Sequence, residues 1–551
     1  MSLSGGRPVK GERKHGNATP LFFVCSYILV FASIPALLAG CSREPEIKYP
    51  NTFTIGLLSD AKKLLPFLAS DSASGEISGY IFNGLTKYDK NIKLTGDLAE
   101  SWDVSKDRLT ITFHLRKGVK WQDGVEFTSD DVLFTYKVVT DPKTPTPYGS
   151  NYGPVGKVEA PDRYTVKVTY KEPFVPALEA WGMGIVSRHV LDGKDISSPE
   201  LNRNPIGTGP YKLREWLSGQ KIVLEAFDGY FEGRPQIDGI VARIIPDPST
   251  MFLELKFGGL DFMGLTPPQY KLQAGSDFFN RYFRKFKYPA FGYTYMGYNL
   301  LDPLFSDVRV RRALSHAVNK KEIIAGVLVG YGVPCTGPFH PETWAYNPQV
   351  KDYDYNPGKA LELFAEAGWK RDPQGMLVKD GKPFSFTLIT NQGNEARLKA
   401  AQIIKEQLKR MGIEMNIKVL EWQAMLHDFV DKRRFEAILM GWALSRDPDM
   451  YDIWHSSKTK EGEFNFISYK NDEVDRLLLQ GRKEFDFVKR RAVYRRLHEL
   501  IMEDQPYLFL YIGDALPVLH KRFKGIEKAP LGIMYDFIHW HVPGNRSEWY
   551  R

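Results

Sequence analysis

The feature that most constrains this 551-residue chain is an apolar run over residues 21–38 that closes on Leu37-Leu38-Ala39-Gly40-Cys41. A basic leader with Arg7, Lys10, Arg13 and Lys14 precedes the run and small residues end it, which is the anatomy of a secretory signal. A membrane-spanning helix is the competing reading, since ~20 apolar residues cross a hydrocarbon core of about 30 Å. Pro35 and Gly40 oppose it, because both weaken a helix. Residues 1–40 are therefore expected to be cleaved, leaving about 510 residues to fold.

Leu38-Ala39-Gly40-Cys41 resembles the bacterial lipobox, in which the cysteine sulfur takes a diacylglycerol and becomes the first residue of the mature protein. Cys41 would then hold the chain at a membrane through several acyl chains, which is what stable attachment requires. Ser42 is not the aspartate that often retains such lipoproteins at an inner membrane. With Cys25 removed and Cys41 acylated, Cys335 stands alone and no intramolecular disulfide can form. A chain of this length has ample core without staples and is expected to form two or three domains. The leader takes four basic residues and Glu12 with it, so the formal charge of +8 falls to +5. That is too little over such a length to point to nucleic acid. Lys489-Arg490-Arg491 and Arg495-Arg496 fall in a helical pattern and read as a solvated face. The composition, 43% hydrophobic and 25% charged, is that of a globular protein, and an aromatic share of 13% points to surfaces or clefts lined with rings.

Residues 42–50 read as a polar tether and residues 52–58 as a first strand. Ile111, Phe113 and Leu115 alternate with Thr110, Thr112 and His114, as in a half-buried strand. Asp123-Gly124 is a turn, and Thr128 with Asp131 forms a capping-box pattern that predicts a helix over residues 129–140. Ser306 can cap a helix whose Val310, Ala313, Leu314, Ala317 and Val318 form one stripe. Ala400, Ile404, Leu408 and Met411 predict another helix over residues 396–411, stopped by Gly412. Residues 414–420 alternate like a strand, and residues 435–440 read as a buried strand that empties into a Gly441-Trp442 loop. Strands alternating with helices imply an open α/β sheet, with ligands at the strand ends.

The stretch from Leu98 through Trp102, Leu115, Trp121 and Phe127 to Thr140 closely resembles the signature of the family 5 extracellular solute-binding proteins, the dipeptide, oligopeptide and nickel binders of ABC importers. Asn204-Pro205-Ile206-Gly207-Thr208-Gly209-Pro210-Tyr211 is similar to the family's glycine-rich turn, and Asn299 to Leu314 to its interlobe segment. Tyr355-Asn356-Pro357, Ala367-Gly368-Trp369 and Gly441-Trp442 with Asp447-Pro448-Asp449 complete a series covering nearly all of residues 50–530.

The resemblance implies an α/β periplasmic-binding-protein fold of the cluster C type, with two lobes and an extra subdomain inserted in the first. It places the signal at 1–40, the tether at 41–50, lobe I at 51–295 with its insertion at about 81–205, lobe II at 296–510, and a return to lobe I over 511–551. Crossing strands near residues 293–299 and 508–514 would form a hinge, and ligand contacts made by both lobes would favour the closed state. The partners implied are a peptide or similar small solute, an ABC permease with its ATPase, and the membrane through lipid on Cys41. A monomer, without cofactor or bound metal, in an extracytoplasmic setting, is expected.

In the best-known peptide binders of the family, an aspartate shortly after the Gly-Trp pair holds the peptide's α-ammonium. Here the loop reads Gly441-Trp442-Ala443-Leu444-Ser445-Arg446-Asp447-Pro448-Asp449, and Ser445 occupies the acid's place. Either Asp447 moves into the role in a shorter loop, or the ligand has no ammonium there. An ordinary turn before Pro448 accounts for Asp447 as well. Trp442 can wall a desolvated pocket or simply pack in the core. Ser70, Asp71 and Ser72, and Asn391 and Gln392 on the other lobe, offer polar groups for backbone recognition, with turns and caps as the alternative.

Enzymatic readings lack their motifs: there is no Gly-x-Ser-x-Gly elbow, no phosphate-binding loop with lysine and no His-Glu-x-x-His. His539-Trp540-His541 places two imidazoles on one side of a possible terminal strand, which leaves a metallohydrolase to consider, without a nearby third ligand. Other readings on the same scaffold are a receptor for a non-peptide solute or metal chelate, and a surface lipoprotein acting as chaperone, sensor or adhesin.

Overall fold

The computed structural model describes residues 51–527, 529–530 and 532–544. The signal at 1–40, the acylation of Cys41 and the tether at 41–50 lie outside the described residues.

Two large sheets organise the chain. The first runs Phe283–Lys285, Pro517–His520, Phe262–Gly264, Thr52–Leu57, Gly239–Ile244, Lys221–Ala226 and Tyr211–Leu217 in spatial order. Its centre is the parallel pairing of Thr52–Leu57 with Gly239–Ile244. Phe53 is fully buried there, with the rings of Phe523, Phe537 and Trp540 from the C-terminal segment at 5.3, 5.0 and 5.7 Å. The second sheet runs Tyr288–Pro289, Tyr507–Ala515, Gly292–Tyr298, Ala437–Ala443, Ser385–Asn391 and Glu414–Leu420, with Gly332–Pro334 added on Tyr507–Ala515. Ser385–Asn391 pairs in parallel with Glu414–Leu420 along its whole length, and the helix Glu395–Arg410 is the crossover between them. Lobe I denotes the half built on the first sheet and lobe II the half built on the second.

A smaller antiparallel sheet, Ala99–Val104, Thr110–Leu115, Thr165–Tyr170 and Val155–Asp162, shares the lobe I core. The helix Ser129–Thr140 begins as the capping pattern predicts, Asp131 Oδ2 accepting from the Thr128 amide at 3.0 Å.

Two chain segments pass between the sheets side by side. Phe283–Lys285 lies antiparallel to Pro517–His520 in the first sheet, and Tyr288–Pro289 lies antiparallel to Tyr507–Ala515 in the second. Bonds from the Phe286 amide to the Pro517 carbonyl and from the Ala290 amide to the Gly513 carbonyl bridge the gap. The connection between lobes is thus a narrow two-stranded ribbon continuous with both sheets.

The structure differs from the sequence reading at several points. The strand expected over 435–440 is Ala437–Ala443, and Gly441 and Trp442 belong to it, because Gly441 to Ala443 keep their ladder partners Thr294, Tyr293 and Gly292. Helix Val308–Ala317 is capped by Asp307, which accepts from the Arg309 amide at 2.9 Å; Ser306 ends the short helix Pro303–Ser306 before it. Arg490 is no solvated residue but is 7% exposed in the helix Phe487–Asp504. His539 ends a 3₁₀ turn, Phe537–His539, rather than standing on a strand, and its Nδ1 meets Asp536 Oδ1 at 2.6 Å. No group of three or more His, Cys, Asp or Glu among the described residues could hold a metal ion. No helix among them is long and apolar enough to cross a membrane.

Candidate functional site

Parallel strands deliver their C-terminal ends, and the loops and helix starts that follow, to one edge of the sheet. In lobe II those ends are Asn391 and the Gly441–Ala443 stretch, with the first turn of Glu395–Arg410 beside them. Arg397 stands in that first turn, where the helix dipole disfavours a cation. Its Nη1 donates to Asn391 Oδ1 at 2.9 Å, its Nη2 lies where any side chain on Gly441 would have to go, and its Nε is buried without a hydrogen-bond partner. Burial lowers the guanidinium from its ordinary value, opposed by the hydroxyls of Tyr511 and Tyr295. No carboxylate among the described residues forms an ion pair with it.

A wall of rings leads from Arg397 to lobe I. Trp442 stacks with Tyr295 at 6.3 Å and 8°, and meets Phe464 at 5.5 Å and Phe466 at 5.9 Å. Phe464 in turn meets Tyr148 of lobe I at 5.9 Å, and the Tyr148 hydroxyl donates to the Ala69 carbonyl at 3.1 Å. Trp442 Nε1 donates to the Tyr507 hydroxyl at 3.3 Å, so its polar edge is satisfied while the ring remains half-buried. Trp442 is thus packed among core rings with one side left partly exposed.

Lobe I contributes the helix Ser72–Ile81. Asp71 is its cap, accepting from the Ser74 amide at 3.0 Å and the Ser74 hydroxyl at 2.5 Å, and is buried. Ser70 and Ser72 are exposed beside it. Glu76, one turn on, shows exposed side-chain surface, yet burial by the surrounding protein pushes its carboxyl up to about 7. Tyr80, one turn further, is raised well above its ordinary value by burial and then by Glu76.

The lobes touch at the margins of this space. Ser150 Oγ donates to Asp452 Oδ1 at 2.5 Å, Arg482 Nη2 donates to Asn151 Oδ1 at 3.1 Å, and the Val175 amide donates to the Arg482 carbonyl at 2.7 Å. Elsewhere Gln423 Nε2 donates to the Asp60 carbonyl at 3.2 Å, and Lys62 faces Asp431 at 3.6 Å. The molecule is therefore in a closed arrangement.

Asp447 sits in this margin with both oxygens engaged by Arg490, at 2.7 Å each, and Oδ1 also accepts from the Asp449 amide at 2.9 Å. It serves as turn residue and as counter-ion to a buried arginine. Ser445 is exposed just past the strand. Across the lobe boundary Glu179 is pushed up to about 7, by burial first and then by Asp447, while the Tyr88 hydroxyl bonds to it. Gln392 is exposed and uses its amide to bond the Leu420 carbonyl, whereas Asn391 orients Arg397.

The model of the bacterial extracellular solute-binding proteins, family 5 Middle, matches residues 93–464. The chain belongs to this family. Oligopeptide-binding protein AppA of Bacillus subtilis (strain 168) is 36% identical over 498 residues, covering 88% of this chain and 90% of that protein. Among solved structures, AppA from Bacillus subtilis in complex with a nonapeptide superposes with a TM-score of 0.85 at 34% identity, covering 90% of this chain and all of that one. NikZ from Campylobacter jejuni in complex with Ni(L-His) superposes at 0.83 with 27% identity, covering 89% and 99%. The two-lobed fold of family 5 is thus the fold of this chain.

The sequence reading did not single out Arg397 or Glu76, and it took Arg490 for part of a solvated face. An arginine in the first turn of a helix that leaves a strand end was one available signal, because the dipole makes that an unfavourable place for a cation without an anionic partner. The Gly75-Glu76 and Gly79 spacing was another, since it places two side-chain-free positions on one helical face around an acid.

Proposed function

We propose that this family 5 protein is an extracytoplasmic receptor, anchored by lipid on Cys41, that captures peptides by closure of its lobes and hands them to an ABC permease and its ATPase. The observation that carries the reading is Arg397, a desolvated guanidinium without a carboxylate, held by Asn391 at the strand ends of a closed cleft walled by rings. A half-buried cation of this kind, with its Nε buried and unpaired, is costly unless a ligand supplies the anion. A peptide's terminal carboxylate is that anion, and the Trp442 and Phe464 rings accept apolar side chains of varied shape. The relatives that bind a nonapeptide and oligopeptides share this architecture. The ribbon at residues 283–289 and 513–520 is the natural hinge, since few residues there must change φ and ψ for the lobes to part.

The test is native mass spectrometry of the mature domain purified without refolding. A ladder of masses matching mixed short peptides is the expected result. A single non-peptide mass or a metal complex would overturn the peptide assignment. Cys41→Ala should move the protein from the membrane fraction to the soluble fraction, and unchanged partitioning would remove the anchor from the proposal.

A further inference from the structure

Lobe I holds a cavity of about 610 Å³ between the end of the helix Ser72–Ile81, the paired strands Thr86–Tyr88 and Leu94–Gly96, and the C-terminal turn Phe537–His539. Every residue that lines it belongs to lobe I. Glu179 and Tyr88 stand in its wall and reach the lobe boundary, where the Glu179 carboxylate accepts from the Asp447 amide of lobe II. The cavity is therefore a side branch of the cleft. Such a space takes a ligand side chain while the ligand backbone stays between the lobes.

Its lining is acidic: Asp89, Asp97, Glu179, Glu232 and Asp536 stand against one cation, Lys87. Asp89 is spent on the Asn91 and Lys93 amides, and Asp536 on His539. Lys87 serves two of the others, Glu232 at 2.5 Å and Asp97 at 3.3 Å. Asp97 is 4% exposed, and its Oδ1 makes no hydrogen bond. Glu179 accepts only from neutral groups, the Tyr88 hydroxyl and the Asp447 amide. Arg446, the cation that acts on it across the boundary, forms no ion pair with it; it lies over the Phe291 ring at 4.2 Å and donates to the Pro530 carbonyl at 3.5 Å. With no cation paired to it, the Glu179 carboxyl stands at about 7, pushed up by burial and then by Asp447. Three carboxylates thus share one lysine, an arrangement that is costly until a further cation enters. Tyr80, Tyr88 and Tyr230 add rings to the lining, and aromatic faces attract cations.

We propose that this cavity receives a cationic side chain of the captured peptide, arginine or lysine, and that Glu179 at its mouth is the carboxylate that binds it. This rests on the peptide reading above. The bond is charge-assisted and is formed where water is largely displaced, which makes such bonds strong. It also couples recognition to closure, because the carboxylate that takes the cation is the one that the Asp447 amide of lobe II holds in place.

The experiment offers wild type and Glu179→Gln a random-sequence pool of short peptides in which arginine is matched by citrulline and lysine by acetyl-lysine, uncharged counterparts of similar shape, and identifies what each protein retains. Wild type should enrich at least one cation over its counterpart by about tenfold or more at one position of the peptide, the factor expected of one charge-assisted bond, and Glu179→Gln should lose that enrichment. Glutamine keeps an acceptor for the Tyr88 hydroxyl and the Asp447 amide, so the comparison isolates the charge. In wild type alone, a diazirine placed beside the enriched position should crosslink to residues 79–97 or 179–182. No enrichment in wild type, an enrichment that survives in Glu179→Gln, or crosslinks confined to lobe II overturns the subsite while leaving peptide capture intact. Retention of no peptide by either protein overturns the peptide reading, and this proposal with it.

Discussion

Arg397→Met separates the ligand's contribution from the scaffold's. The guanidinium spends Nη1 on Asn391 and has no carboxylate partner, so a ligand carboxylate would make at least one charge-assisted bond with it. Such a bond contributes about 1.5–3 kcal/mol, and its loss weakens binding about 10- to 150-fold, with more to come from the ligand carboxylate left desolvated and unpaired. The empty protein should respond in the opposite sense. Replacing a half-buried cation that lacks a carboxylate partner by an apolar side chain of similar length is close to neutral or stabilising, so the melting temperature should stay level or rise. The assay is calorimetric titration of a captured peptide and its C-terminal amide against both proteins. In wild type, amidation should cost about what the mutation costs. In Arg397→Met it should cost almost nothing, giving a coupling of at least ~1.5 kcal/mol in the double cycle. Asn391→Ala, which loses only the bond that orients the guanidinium, should weaken binding by about fivefold. Equal amidation penalties in wild type and Arg397→Met would refute the reasoning, because the carboxylate would then be received elsewhere.

Three further outcomes follow from the same contacts. Asn151→Ala removes one hydrogen bond that exists only while the lobes are closed, so affinity for any captured peptide should fall about fivefold and small-angle scattering should show a more open empty protein; unchanged scattering with unchanged affinity would mean that the Arg482 contact does not bias closure. Arg522 binds Asp261 through Nε at 2.8 Å and Nη2 at 2.6 Å and also donates to the Thr52 carbonyl, so Arg522→Met should cost about 3–5 kcal/mol in denaturant unfolding, with much of it recovered in Arg522→Met/Asp261→Leu; a loss below about 1 kcal/mol would show the pair to be dispensable. His520 is pushed down to about 3 by burial and then by Arg522, so below pH 6.5 the unfolded chain takes a proton that the folded protein refuses. Stability should therefore fall with acidification from pH 6.5 toward 3 by up to about 1.4 kcal/mol per pH unit from this residue alone, and His520→Gln should remove that slope from the difference between the two profiles.

What the residues disclosed in order, and what they withheld, divides along a physical line. Local patterns set local structure. The helix Ser129–Thr140 follows from Thr128 and Asp131, and the strand Glu414–Leu420 from an alternation of apolar residues, with bounds that coincide with the structure. The long motifs around Trp121, Gly207 and Asp307 led to the family, and their positions make sense in space: a Cβ on Gly207 would sit 1.8 Å from the Ile81 carbonyl oxygen, so that turn can be built only without a side chain. The site is different in kind. Nothing in Asp447-Pro448-Asp449 reveals that Arg490, more than forty residues away on the helix Phe487–Asp504, occupies both oxygens of Asp447. That pairing gives Asp447 a structural partner that its loop does not announce, and it also explains why an arginine in a basic run is buried. Conversely, Arg397 reads as ordinary helical surface, and only the fold makes it conspicuous, as a guanidinium held by Asn391 at the strand ends without a carboxylate. Strand and helix are decided by neighbours in sequence. A binding charge is decided by which counter-charge the fold fails to bring, and in this protein the fold brings no carboxylate to Arg397.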